Sequence, residues 1–243
     1  MAQGSEQLEI PDIDVTSFVF EHADRWANEP ALIDGPSGRA VTYRELTDSI
    51  KALAAGLSAR GFGKGDVLGV YMPNLPEYAA IFHGAASAGG MCMTVNPLYT
   101  AGELTHQLED SGAKMLVTVA AGLEVANEAA KATGVEEVFV VGEESFAELP
   151  GDPADAPEVE IDPAEDLAVL PYSSGTTGLP KGVMLTHRNL VANLIQAGPT
   201  SGAGAGDVLI GCLPFFHIYG MQVTMNLGLR GGATIVTVPR FDL

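Results

Sequence analysis

The feature that most constrains this chain is an alternation of short, predominantly apolar runs with longer segments of helical periodicity. Residues 67–72, 91–95, 115–119 and 138–141 are runs of this kind. A strand apolar on both sides has no solvent face, so it belongs in a sheet covered above and below. The intervening helices supply that cover, and a strand–helix–strand order makes the strands parallel. The expectation is an α/β chain, with a flavodoxin-like doubly wound parallel sheet followed by the first part of a second βα subdomain.

Local signals fill in the rest. Thr42 with Glu45 and Thr100 with Glu103 are capping-box pairs that open helices, and Gly112 closes the second of these. A first helix is expected from Thr16, with Phe18, Val19, His22 and Trp26 on one side. The runs 31–33 and 39–41 around Gly35-Pro36-Ser37-Gly38 read as a hairpin. Residues 148–166, rich in Pro, Asp, Glu and Ala, break the rhythm. The domain reading is a first α/β subdomain over 1–150, a linker over 151–166, and the incomplete start of a second subdomain over 167–243. The last apolar strand, 233–238, is expected to be an unpaired edge.

Charge and composition exclude several function classes. Lys and Arg number 12 against 31 Asp and Glu, a net charge of −19, and such a surface repels nucleic acid and anionic lipid. The acidic N-terminus lacks the basic and apolar regions of a secretory signal. The longest apolar tract, 79–95, is interrupted by His83 and Ser87, so it reads as a helix and a strand and not as a membrane span. Cys92 and Cys212 have no metal-ligand spacing and no CxxC partner, which fits buried, reduced thiols. His22, His83, His106 and His187 show no cluster spacing for a metal, so no metal site is expected and these four histidines are given no site role. These features fit a cytoplasmic protein.

The segment richest in chemistry is Tyr172-Ser173-Ser174-Gly175-Thr176-Thr177-Gly178-Leu179-Pro180-Lys181-Gly182, between the apolar stretches 167–171 and 183–185. Glycines let a backbone approach a ligand closely, and exposed N–H groups in such a turn cradle anions. The hydroxyls of Ser173, Ser174, Thr176 and Thr177 add donors, and Lys181 adds a mobile cation. The spacing is not that of G-x-x-x-x-G-K-[ST]: Leu179-Pro180 separates Gly178 from Lys181, and Gly182 follows. From residue 132 to 229 the only cations are Lys181 and Arg188, in a chain that needs local compensation to hold a polyanion. Arg188 also reads as a solvated residue at the start of a helix capped by Thr186.

The run 173–182 resembles the AMP-binding signature of the adenylate-forming enzymes, which include acyl-CoA synthetases, 4-coumarate:CoA ligases, luciferases and the adenylation domains of peptide synthetases. Its continuation through Thr186-His187-Arg188-Asn189-Leu190 is similar too. Leu213-Pro214-Phe215-Phe216-His217-Ile218-Tyr219-Gly220 resembles the second core motif in its 4-coumarate:CoA ligase form, as does Asn96-Pro97-Leu98-Tyr99-Thr100. The resemblance covers essentially the whole chain. It implies an ATP-dependent carboxylic acid:CoA ligase, in which a carboxylate attacks the α-phosphate of Mg·ATP to give an acyl-adenylate and pyrophosphate. The thiol of coenzyme A then displaces AMP. ATP, Mg²⁺ and coenzyme A are the implied cofactors and a small carboxylic acid the implied substrate.

The resemblance also implies residue roles, in chemistry that rests on positioning and charge neutralisation. Ser173, Ser174, Gly175, Thr176, Thr177, Gly178 and Lys181 would hold the β- and γ-phosphates. His217 matches a catalytic position beside the reacting carboxylate, and His217, Tyr219 and Val223 match the border of the acyl pocket. Arg240 matches a basic residue that meets the CoA phosphates. Similar enzymes are roughly twice as long. They carry an aromatic-Gly-x-Thr-Glu stretch, a ribose-binding Asp and a small C-terminal domain with a Lys. Here Tyr219-Gly220 is followed by Met221-Gln222-Val223, and no such stretch occurs. The expectation is therefore an N-terminal portion that needs the missing half for a full site and, alone, holds phosphates poorly.

The other readings are an adenylation domain that loads a carrier protein, an oxidative luciferase-like enzyme, and a non-catalytic nucleotide- or acyl-binding module. The His217-Ile218-Tyr219 form favours the ligase. A dinucleotide oxidoreductase lacks its fingerprint, since no G-x-G-x-x-G follows a first strand. Among acids, phenylpropenoic acids such as 4-coumarate come first and medium-chain fatty acids second.

Overall fold

A computed structural model of the protein describes residues 8–173, 180–201 and 203–240. The strands are β1 (Pro30–Asp34), β2 (Ala40–Thr42), β3 (Val67–Tyr71), β4 (Met91–Val95), β5 (Met115–Val119), β6 (Glu137–Val141), β7 (Leu167–Ser173), β8 (Lys181–Gly182), β9 (Leu185–Thr186), β10 (Val208–Gly211) and β11 (Thr234–Thr237). The helices are α1 (Val15–Phe20), α2 (Tyr43–Ala59), α3 (Glu77–Ser87), α4 (Ala101–Ser111), α5 (Leu123–Ala132), α6 (Glu144–Ala147), α7 (His187–Ser201) and α8 (Leu227–Gly231). Both capping boxes form: Thr42 and Thr100 accept from the backbone N–H of Glu45 and Glu103, whose carboxylates reach back to the cap N–H. The first helix is shorter than expected. Asp14 caps it, and a separate 3₁₀ turn, Ala23–Trp26, follows.

The larger sheet has the order β6-β5-β3-β4-β7, all parallel, with β8 and β9 antiparallel on β7. Every residue of β3 is buried. Leu68 and Val70 join one core cluster with α2 and α3, while Val67 and Tyr71 join the other with Leu104 and Leu108 of α4 and Ala126 of α5. This is the two-faced cover that the apolar runs require.

The smaller sheet runs β10-β11-β1-β2, with β10, β11 and β1 parallel and β2 folded back as the expected hairpin. Strand pairing thus crosses the boundary drawn from sequence. β7 adds to the first sheet, pairing Cys92 with Val169 and Met93 with Leu170. β1, from the N-terminal stretch, pairs Leu32 with Ile235 of β11. β11 is therefore interior, not the unpaired edge expected. The edge on that side is β10, with Val208 and Ile210 exposed, and β2 forms the other. Residues 148–151, which end the first subdomain and open the expected linker, are bonded to α2 and to Arg60 at its C-terminal end. Gly151 N–H donates to Ala52 O, and the Arg60 guanidinium donates to the carbonyls of Glu148 and Leu149. Gly56 is required there, because a Cβ would lie 1.6 Å from Leu149 O.

Candidate active site

Strands β7 and β8, which flank the Ser/Thr/Gly segment in the sequence, pair as an antiparallel hairpin. Tyr172 pairs with Gly182 and Ser173 with Lys181, so the two ends of the segment are held side by side. Ser174, Gly175, Thr176, Thr177 and Gly178 lie outside the described residues. The Ser173 hydroxyl and the exposed Lys181 ammonium are thereby assigned to facing positions at the hairpin's foot. That foot is braced from below. Tyr172 Oη donates to Asp110 Oδ2 at 2.6 Å. Desolvation first, and then that carboxylate, push the Tyr172 hydroxyl well above its ordinary pKa, so it stays a donor. Gly182 lies against the Tyr172 ring: a Cβ would meet Cζ at 3.3 Å. His106 Nε2 is 3.4 Å from Pro180 O, a second contact between α4 and the hairpin.

The second motif is anchored by a residue that sequence reasoning did not single out. Asn74, buried in the turn after β3, donates through Nδ2 to Gly211 O at 2.9 Å and Leu213 O at 2.8 Å. Its Oδ1 accepts from Phe215 N at 2.7 Å. Thr94 of β4 donates to Phe216 O at 2.7 Å. The chain then turns so tightly that only glycine fits at 220, since a Cβ would lie 2.2 Å from Pro214 O. Residues Gly220–Asn226 form a π-helical segment that runs into α8. The signal for Asn74 was available in principle. It is a lone polar residue in Met72-Pro73-Asn74-Leu75-Pro76, and a buried amide must find partners.

These pieces face one cavity of about 1100 Å³. Ser173 and Tyr172 line it from the hairpin, His217, Tyr219 and Val223 from the second motif, and Thr94, Asn96 and Tyr99 from the end of β4. Asn189 and Asn193 of α7 and Gln222 complete the polar part of its wall. The sequence-selected Ser173, His217, Tyr219 and Val223 are thus brought together. Lys181 sits at the hairpin's foot outside the lining. Arg240 is exposed beyond β11 and is not among the described residues lining this cavity. Tyr219 N–H donates to His217 Nδ1 at 3.2 Å, which leaves Nε2 to carry the proton of the neutral ring. Exposed His217 can therefore donate a hydrogen bond to an acceptor in the cavity.

Among the described residues, no group of three His, Cys, Asp or Glu side chains could hold a metal ion. Nor is any helix among them long and apolar enough to cross a membrane.

The AMP-binding enzyme family matches residues 19–243. The chain is similar to 4-coumarate--CoA ligase 3 of Oryza sativa subsp. japonica, with 40% identity over 96% of this chain and 45% of that protein. Its fold is similar to the crystal structure of a long-chain-fatty-acid-CoA ligase (FadD1) from Archaeoglobus fulgidus, with a TM-score of 0.89 and 32% identity, covering 99% of this chain and 50% of that one. ATP-bound MatB from Rhodopseudomonas palustris is similar too, with a TM-score of 0.81 and 29% identity over 96% of this chain and 46% of that one. The chain spans about half the length of the curated relatives it matches. It belongs to the AMP-binding enzyme family.

Proposed function

We propose that this chain supplies the phosphate-holding hairpin and the acyl-pocket wall of an ATP-dependent carboxylic acid:CoA ligase. The observation that carries the reading is the convergence of Ser173 and His217 on one cavity, with Lys181 paired across from Ser173. Two anions, a carboxylate and a nucleoside triphosphate, must meet in such a reaction, and the barrier is lowered by holding them and neutralising charge. The hairpin would take the terminal phosphates, with Lys181 as a point charge able to follow departing pyrophosphate. The cavity would take the acyl chain. His217, donating from Nε2, would orient the carboxylate toward the α-phosphorus. No step is assigned to Mg²⁺; ATP would bring it on its own phosphates. Coenzyme A would follow as the thiol acceptor, with Arg240 as the residue to test for its phosphates.

The discriminating experiment is competition. A fluorescent ATP analogue should bind the protein and be displaced by pyrophosphate. Lys181→Ala should weaken both ligands by about tenfold or more, the worth of one charge-assisted hydrogen bond. Equal affinity in the wild type and Lys181→Ala would sink the assignment of the hairpin. 4-Coumarate is the first acid to test and a medium-chain fatty acid the second.

A further inference from the structure

Behind the cavity, a row of side chains runs through the interior that the reading above does not use. Thr16 Oγ1 of α1 is 3.0 Å from His83 Nδ1 of α3. His83 Nε2 is 3.2 Å from Asn226 Oδ1. Asn226 Nδ2 donates to Gln222 Oε1 at 2.7 Å, and Gln222 Nε2 donates to Leu190 O of α7 at 2.9 Å. His83 and Asn226 are wholly buried, and Gln222 almost so.

The direction of every bond in this row follows from its far end. A carbonyl only accepts, so Gln222 turns Nε2 toward Leu190 and Oε1 toward Asn226. Asn226 must then present Nδ2 to Gln222 and Oδ1 to His83. Since Oδ1 only accepts, His83 carries its proton on Nε2, and Nδ1 accepts from the Thr16 hydroxyl. One tautomer satisfies the whole row. Burial lowers the His83 pKa to about 3, so the imidazole is neutral and the arrangement is stable over the physiological range. Phe20 and Phe82 pack edge-on at 4.9 and 4.8 Å and fix the ring plane.

The row ends where the cavity begins. Gln222 lines it, Val223 is the next residue, and both lie in the π-helical segment Gly220–Asn226. π-Helical turns are rare and persist where other contacts support them. We infer that His83 is a positioning residue for the acyl pocket, holding the π-helical wall through Asn226 and Gln222 and tying it to α7. Apolar residues at 83 and 226 would fill the same volume without burying amides. A satisfied polar network instead specifies a single geometry, which is what a pocket wall requires. The ligand in this inference rests on the acid-pocket reading above, whereas the bracing of the wall does not.

Three variants of this chain test it. His83→Leu removes both bonds. His83→Gln keeps a donor toward Asn226 and an acceptor toward Thr16. Thr16→Val removes only the outermost donor. Amide hydrogen exchange is compared between residues 220–227 and strands β3–β5, and binding of 4-coumarate and decanoate is measured by equilibrium dialysis. In His83→Leu, exchange across 220–227 should rise and probe affinity should fall, each by about tenfold, while β3–β5 stay protected. His83→Gln should restore both, and Thr16→Val should loosen 220–227 to a smaller extent. If His83→Leu does not fold, Thr16→Val decides by whether 220–227 loosens ahead of β3–β5. Unchanged exchange at 220–227, or a rise shared equally with β3–β5, overturns the bracing. Loosening with unchanged probe affinity overturns the link to the pocket. Failure of both acids to bind the unaltered chain overturns the acid-pocket reading and that link with it, while the exchange results still decide the bracing.

Discussion

Replacing Asn74 with Ala should weaken the chain far more than one surface amide would. The side chain makes three bonds to backbone groups of a single loop: Gly211 O, Leu213 O and Phe215 N. Each such bond contributes a net 0.5–1.5 kcal/mol, roughly, and a buried group left without a partner costs about 1–3 kcal/mol. Leu213 is an exposed residue whereas Phe215 is wholly buried, so the Phe215 N–H is the group with least access to a replacement partner from water. The sum is therefore about 2–4 kcal/mol, with Phe215 N–H the largest share. Urea unfolding of wild type and Asn74→Ala gives the total, and amide exchange at Phe215 gives the local part. Asn74→Asp separates the two roles. It keeps the acceptor for Phe215 N–H and loses both donors, so Phe215 should stay protected while the loop from Gly211 to Leu213 loosens. A loss below about 1 kcal/mol in Asn74→Ala, with Phe215 still protected, would refute the view that this one amide sets the second motif.

Gly232 has φ +81° and a Cβ there would lie 2.4 Å from Trp26 Cε2, so Gly232→Ala should cost about 2–4 kcal/mol from strain and overpacking. Trp26 is the single tryptophan, so its emission during urea unfolding reads the loss directly. Gly182→Val should push the Tyr172 ring off Asp110 and weaken pyrophosphate binding by about tenfold while the urea midpoint holds; equal binding would show that the brace does not set the hairpin. Acid should destabilise the fold through His83. Its pKa is about 3 when folded and about 6.5 when unfolded, so the unfolded chain gains the proton first. Stability is then complete above about pH 6.5 and falls by about 1.4 kcal/mol per pH unit as pH drops toward 3. His187, also lowered by burial, acts in the same direction. Urea midpoints at several pH values should show the slope, and His83→Gln should flatten it.

How much of this was legible in the sequence depends on whether the signal was local. The capping boxes at Thr42 and Thr100 and the β1–β2 hairpin depend on residues a few positions apart, and each formed as read. The partners of β1, β7 and β11 could not be read the same way. An apolar strand declares that it is buried on both faces but carries no mark of the neighbour it will meet. Leu32 pairs with Ile235 across two hundred residues, and Val169 with Cys92, because the register that buries every side chain is a property of the finished core. The site divides along the same line. Ser173, Lys181, His217 and Tyr219 stand in compact motifs, so their grouping could be anticipated. Asn74, Thr94 and His83 are single polar residues in apolar stretches, and their partners lie more than a hundred positions away or on another helix. Yet each carried one readable sign. A polar side chain inside a run that must be buried costs free energy unless it is bonded, so its presence forecasts a long-range partner without naming it. On that ground, the lone polar residues of the apolar runs are where the architecture of this site is written, since they fix the loops on which the motif residues stand.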